Sequence, residues 1–411
     1  MLEVIRNNVL QKADISDDID DDRLKSLIDD AIVEYSKSVY IPICTMETLR
    51  RRIFASIRGL DILEELLEDD DITEIMVNGN NNIYIEKAGQ LIKSDKCFSS
   101  PDKINDVIQQ IAASTNKRIN ERTPISDTSL IDGSRVNIVL SPISIDSPVI
   151  TIRKFGSGRL TMDKLHKLGS LDTKAIKLLE CLVKSKYNIF VCGGTGSGKT
   201  TFLNALSEFI PKDERIITIE DSPELNIDIC NLVRLETRQP NTEGQGSVTI
   251  SDLIRTSLRM RPDRIIVGEV RGCEAIEMLQ AMNTGHDGSL STGHGNSVPD
   301  MLSRLETMVL MGLDIPLNAI RAMIASSIDI IIHLGRLHDK SRKVLEITEV
   351  LGANENGYQL NTICSLKTNA ESSSLVYTGN MIISTGKLES HNLLQQCTNV
   401  LKGDFTDDAT F

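Results

Sequence analysis

Tryptophan is absent from the 411 residues, and phenylalanine and tyrosine bring the aromatic share to only 3%. This speaks against a carbohydrate-stacking groove or an aromatic platform for single-stranded nucleic acid, and it leaves an aliphatic core. Positive charge is also scarce: 45 lysines and arginines face 58 aspartates and glutamates, a formal charge of -13. That is the wrong sign for a chain that lies along a phosphate backbone, so nucleic acid is not expected as the main ligand. None of the eight cysteines, at 44, 97, 181, 192, 230, 273, 364 and 397, forms a CxxC pair. No structural zinc or disulfide framework is therefore suggested, and a reducing cytoplasm fits best. No apolar run approaches the roughly 18 residues of a membrane span, and MLEVIRNNVLQKADIS lacks the unbroken apolar centre of a signal peptide. Membrane contact is expected to be peripheral.

A hydrophobic content of 40% supplies cores for two or three domains. Residues 14–30 carry eight aspartates against one arginine and one lysine, which reads as a solvated linker or helix cap. From Arg23 to about Leu67 apolar residues recur at helical spacing, suggesting a separate helical segment over 1–65. The period then changes. ITEIMVNG (72–79), NIYIEKAGQLI (82–92), SRVNIVLSPI (134–143) and PVITIRKF (148–155) read as strands, and KINDVIQQIAAS (103–114) as a helix, giving an α+β domain over 66–155. Residues 156–163, with two glycines and a serine at or beside their start, read as a hinge. From 164 to 350 short apolar β-runs alternate with helices, the mark of a mostly parallel sheet covered on both faces, so the fold class is α/β here. Residues 351–411 read as a tail with weaker β-runs and a frayed acidic end.

Within the α/β region, Gly193-Gly194-Thr195-Gly196-Ser197-Gly198-Lys199-Thr200 satisfies GxxxxGK[ST] between the apolar run NIFVC and the helical TTFLNAL, with Thr201 on the first helical turn. Glycines let successive N–H groups turn onto phosphates. Lys199 brings a cation to the β and γ groups, and the Thr200 hydroxyl can complete a Mg²⁺ shell. RIIVGEVRG (264–272) places Glu269 at the carboxyl end of a strand, where ligands of open α/β sheets bind. Gly268 stands where the common motif has aspartate, so Glu269 is expected to orient water or the metal's water shell. RIITIEDSPEL (215–225) ends a third strand in Glu220 and Asp221, acids suited to activating water.

These motifs, followed by GHDGSLSTGHGNS (285–297), resemble in order and spacing the secretion-ATPase superfamily, the motors of type II secretion, type IV pili and type IV secretion. ITEIMVNG, DGSRVNIV and VITIRKF resemble the amino-terminal domain of the Tad/Flp pilus assembly (CpaF-like) branch and its relatives in type IV secretion, and the unbroken LETMVLMGLDIPLNAIRAMIASSIDIIIH is similar to the Tad/Flp branch. The resemblance implies a RecA-like P-loop ATPase domain behind a small α+β domain, and a homohexamer at the inner face of the cytoplasmic membrane. It further implies ATP and Mg²⁺ as cofactors and an inner-membrane platform protein as partner. Type IV secretion or conjugation traffic is the alternative.

By the same resemblance, Glu220 and Glu269 place water and metal, and Arg135 and Arg153 reach over the phosphates from the amino-terminal domain. Arg255 and Arg259, four apart on one helical face, and Arg271 are further charge-stabilising candidates, each also readable as an ordinary ion pair. The histidines of the last motif divide. His294, at the end of the strand SLSTG, is expected to sense the γ-phosphate, and His286, before that strand, to brace the loop.

Overall fold

The computed structural model describes residues 1–12, 20–87, 89–98, 100–115, 117, 119–154, 160–238, 240, 245–355, 357–368 and 373–404. The chain divides into two compact units, Met1–Ser157 and Gly158–Phe411. Half of the expected hinge (156–159) and the acidic end (405–411) lie outside the described residues.

The first unit opens with helices α1 (Leu2–Lys12), α2 (Asp21–Ser36), α3 (Ile43–Arg58) and α4 (Ile62–Glu68). Helix α2 starts where it does because the Asp20 carboxylate accepts from the Arg23 amide, satisfying an orphan donor of the first turn. Its buried Leu24, Ile28, Ala31 and Ile32 form one stripe that packs on Ile5 and Val9 of α1 and Leu49 and Ile53 of α3.

A six-stranded antiparallel sheet follows, ordered β3-β2-β1-β6-β5-β4. Its strands are β1 (Ile72–Asn78), β2 (Ile83–Lys87), β3 (Gln90–Lys93), β4 (Ile125–Ser129), β5 (Arg135–Val139) and β6 (Val149–Arg153). Helix α5 (Pro101–Ser114) adds Ile104, Val107, Ile108 and Ile111 to the core that Ile75, Val77, Ile150 and Ile152 of the sheet provide.

The helical segment does not stand apart from this domain. Ile62, Leu63 and Leu66 of α4 belong to the sheet's core, and buried Lys103 of α5 donates to the Ser56 carbonyl of α3 at 2.5 Å. A lysine that is 5% exposed needs such a partner, and this one ties the helices to the sheet.

The second unit starts with α6 (Met162–Lys167) and α7 (Thr173–Lys184) and is built on a nine-stranded sheet ordered β15-β14-β13-β12-β7-β11-β10-β8-β9. Strands β7 (Ile189–Gly193), β8 (Ile216–Glu220), β9 (Leu232–Glu236), β10 (Arg264–Val267), β11 (Leu290–His294) and β12 (Ile330–Arg336) run parallel. Each face has its own core: Ile189 and Val191 of β7 pack on α7 and α8 (Lys199–Leu206) on one side. Phe190 and Cys192 pack among α9 (Ile250–Ser257), α10 (Ala275–Asn283), α11 (Val298–Leu310) and α12 (Leu317–Ser327) on the other. Burial on both faces is why these strands read as unbroken apolar runs.

The segment after 350 is no separate tail. Strand β13 (Arg342–Asn354) crosses that position, and β14 (Gly357–Thr368) and β15 (Ser373–Tyr377) extend the sheet in antiparallel sense. After α13 (Gly386–Ser390), helix α14 (Leu394–Lys402) places Cys397 and Val400 in the core that contains α7. Fully buried Glu349 pins the connection by accepting from the amides of Ile383 and Ser384 and from Asn361. Among the described residues no helix is long and apolar enough to cross a membrane.

Candidate functional site

Three parallel strands end together around the glycine-rich loop. Strand β7 runs into the loop at Gly193 and α8 leaves it at Lys199. Gly196 and Gly198 take φ of 71° and 90°, a left-handed backbone that side chains resist, and this turns the loop over the first turn of α8. Gly194, Thr195 and Gly196 are exposed at the tip, while Thr200 and Thr201 sit half-buried at the start of α8. The Ser197 hydroxyl is buried without a hydrogen-bond partner among the described residues. A helix N-terminus, the glycine-rich turn that leads into it and an orphaned hydroxyl make a donor set suited to an anion.

A file of charged side chains leads away from the loop. The Lys199 ammonium, in a residue only 8% exposed, donates to the carbonyls of Gly193 and Gly194, each at 3.2 Å, and lies 3.3 Å from His294 Nδ1. An ammonium only donates, so Nδ1 is the acceptor and the ring proton belongs on Nε2. Nε2 lies 2.8 Å from Glu269 Oε1, at an angle too oblique for a good hydrogen bond, so the contact is mainly electrostatic. Glu269 Oε2 in turn accepts from Arg271 Nε at 3.1 Å and from its terminal nitrogen at 2.7 Å. Burial and then the Lys199 cation hold the His294 imidazole below its ordinary pKa, against the pull of Glu269. The ring is therefore neutral near pH 7.

Glu220 ends β8 on the far side of β10, and only 4% of it is exposed. Its Oε1 accepts from the amides of Glu224 and Leu225 at 2.8 and 2.9 Å, closing the turn after the strand. Burial, opposed by those two donors, raises its carboxyl above the usual range. A Cβ on Gly268 would lie 3.0 Å from Glu220 Cγ, so the glycine in the β10 motif leaves room for the acid of the neighbouring strand.

A family model described as type II/IV secretion system protein matches residues 57–397. The chain belongs to this family, within the secretion-ATPase superfamily. It is 33% identical to a putative conjugal transfer protein of Mycobacterium tuberculosis over 304 residues, 72% of this chain and 86% of that one. It is 31% identical to the type IV secretion system protein VirB11 of Bartonella quintana, with 70% of this chain and 91% of the relative covered. The solved structure of the pilus retraction motor PilT with bound ADP shares the fold at a TM-score of 0.52 and 21% identity, over 84% of this chain and 90% of PilT. The expected α/β fold with a RecA-like domain matches these secretion ATPases.

The remaining arginines of this family member do not all gather at the loop. Arg255 pairs with Glu277 of α10 at 2.5 Å, and α9 ends at Ser257, so Arg259 lies beyond the helix and the two do not share a helical face. The chain turns there because Arg261 adopts φ 55° before Pro262. Among the described residues neither arginine touches the Lys199 to Arg271 file.

Arg135 and Arg153 are cross-strand partners on β5 and β6 in the first unit, with Glu74 of β1 opposite Arg153. Arg264, fully buried and bonded to both oxygens of Glu214, is structural. The two histidines stand at opposite ends of β11, His286 before the strand and His294 as its last residue. The His286 carbonyl accepts from Ser289 at the strand's entry, and His294 occupies its exit.

Two residues that no motif signals do reach the loop. Arg342 Nε donates to the Gly196 carbonyl at 2.9 Å, and Arg336 Nη1 lies 4.0 Å from where a Cβ on Gly196 would stand. The only trace of this in the sequence is their place on either side of LHDKS, a turn between two β-runs.

Proposed function

We propose that the chain is an ATP-hydrolysing homohexameric motor that powers assembly of a Tad/Flp-type pilus, or related secretion, from the inner face of the cytoplasmic membrane through an integral platform protein. The observation that carries hydrolysis is the unbroken file Lys199, His294, Glu269, Arg271 leaving a phosphate loop.

Lys199, Thr200 and the loop amides would hold the triphosphate and its magnesium, a fit supported by the orphaned Ser197 hydroxyl and the anion-accepting loop. Bound magnesium would neutralise charge on the phosphate oxygens. Glu269 orients the attacking water, and Glu220, held by its turn, keeps the adjoining strand end acidic.

Lys199 releases the Gly193 and Gly194 carbonyls to bind phosphate and at the same time changes what it offers His294 Nδ1. The imidazole, poised between Lys199 and Glu269, thereby registers whether the γ-phosphate is present. Arg271 leans on Glu269 and stands at an open groove of about 430 Å³ that it shares with Asp300, Ser303, Arg304 and Met311.

Phosphate release tests the reading. It should require Mg²⁺, rise with protein concentration as rings form, and vanish in Lys199→Ala; brisk turnover in that variant would sink it.

The second reading, traffic of protein or DNA in type IV secretion or conjugation, is favoured by the similarity to a putative conjugal transfer protein and to the type IV secretion system protein VirB11. Stimulation by single-stranded DNA that collapses with added salt would select it over pilus assembly, against the bias of a -13 charge.

A further inference from the structure

The flank of the loop opposite His294 carries two opposed arginines. Arg336 ends β12, Arg342 begins β13, and the antiparallel register sets them directly across from each other. Like charges at opposed positions weaken a strand pair, and among the described residues neither guanidinium has a carboxylate partner. Both side chains lie at the phosphate loop instead. Arg342 donates to Gly196 at 2.9 Å, and its Cδ is 3.3 Å from where a Cβ on Gly198 would lie. Strand β12 pairs with β7 as far as Leu334 opposite Gly193, so main-chain bonds fix this hairpin to the strand that feeds the loop.

We propose that Arg336 and Arg342 hold the phosphates that ATP and ADP have in common, so that this flank sets nucleotide affinity and product retention. The inference rests on the nucleotide reading above. Its physical basis is the separation of roles: Glu269, Glu220 and His294, the groups suited to water and the γ-phosphate, stand on the β11 side. A cation on the β12 side meets a polyanion whether or not the γ-phosphate has left. Such an interaction is equally strong before and after reaction, and it lowers KM without raising kcat. Arg342 also exchanges partners, because the donor that now braces Gly196 is the one a phosphate oxygen would take.

The test uses the full chain, titrated at equilibrium with ADP and with a non-hydrolysable ATP analogue, alongside steady-state phosphate release. Arg342→Ala should weaken both nucleotides by the same factor, roughly tenfold or more, the scale of one charge-assisted hydrogen bond. Arg336→Ala should act in the same direction. KM should rise by a like factor and kcat should not fall.

Arg342→Gln separates charge from scaffolding, since glutamine keeps an N–H for Gly196 but brings no cation. It should bind ADP as poorly as the alanine variant, and wild-type affinity in the glutamine variant would reduce Arg342 to a loop brace. ADP affinity within twofold of wild type in both alanine variants, or loss confined to the ATP analogue, would overturn the proposal. Wild-type protein that binds no ADP at all would instead overturn the nucleotide reading beneath it.

Discussion

The two flanks of one phosphate loop are built on different electrostatic plans. On the β11 side, cation, imidazole, carboxylate and guanidinium alternate within contact distance, and their side chains run from buried Lys199 to half-exposed Arg271. Each member has its charge or hydrogen-bond direction set by the next, so one change of partner at Lys199 is felt at Glu269. The β12 side offers two exposed arginines set directly across a hairpin from each other, neither with a carboxylate partner among the described residues. Fixed charge of that kind attracts a polyanion and cannot report its state. The proposed motor needs both properties, and here they sit on opposite edges of the strand that carries the loop.

The largest effects should come from breaking the alternating flank. Lys199→Ala removes its first member, and phosphate release should fall at least a hundredfold, about 2.7 kcal/mol or more of transition-state stabilisation. Glu269→Gln should keep nucleotide binding and lose on the order of 10²–10⁴ in kcat, readable as tight binding without turnover. Loss of binding in that variant would mean that the carboxylate holds nucleotide and does not place water.

His294→Ala should likewise bind ATP and lose most hydrolysis, and normal turnover would remove the sensor role. A pH profile sharpens the point. Nδ1 must be unprotonated to accept from Lys199, and burial with that same cation holds the ring below its ordinary pKa. The acid limb of kcat/KM due to His294 should therefore fall below the usual histidine range. The linkage to stability has a definite sign. As pH drops through the ordinary value the unfolded chain takes up the proton first, so this site's contribution to stability shrinks on acidification down to the folded pKa. An acid limb at or above the ordinary value would contradict the geometry.

Much of the alternating flank could be read directly from residues. NIFVC before a glycine loop, and acids or a histidine at the ends of apolar runs, are local patterns, because strands buried on both faces announce themselves. The other flank was hidden. Arg336 and Arg342 meet only through hairpin register, and nothing local says that this hairpin borders β7.

The end of the sheet was hidden for a related reason: β14 and β15 lie at its margin, where polar residues face outward and weaken the pattern. Gly268 shows the limit of motif comparison. Against the common motif it reads as a missing ligand, whereas in the fold it is space for Glu220. Gly268→Ala should therefore push Glu220 aside, costing about 1–3 kcal/mol as overpacking and lowering turnover; an unchanged melting curve and rate would refute that fit.

The smallest expected effect separates an arginine that belongs to the alternating file from one that only looked eligible. Arg255 and Arg271 both contact a glutamate, yet Glu269 continues to His294 and Lys199, whereas Glu277 returns to Ser251 on the same helix as Arg255. A pair of the latter kind, whose arginine reaches it from solvent, is worth about 0–1 kcal/mol and should be partly screened by salt. Arg255→Ala should shift the melting temperature slightly and leave phosphate release within about twofold of wild type, while Arg271→Ala, by freeing Glu269 from its cation, should lower turnover much further. Equal losses in the two variants would show that the file does not end at Arg271 and that α9 takes part in the chemistry.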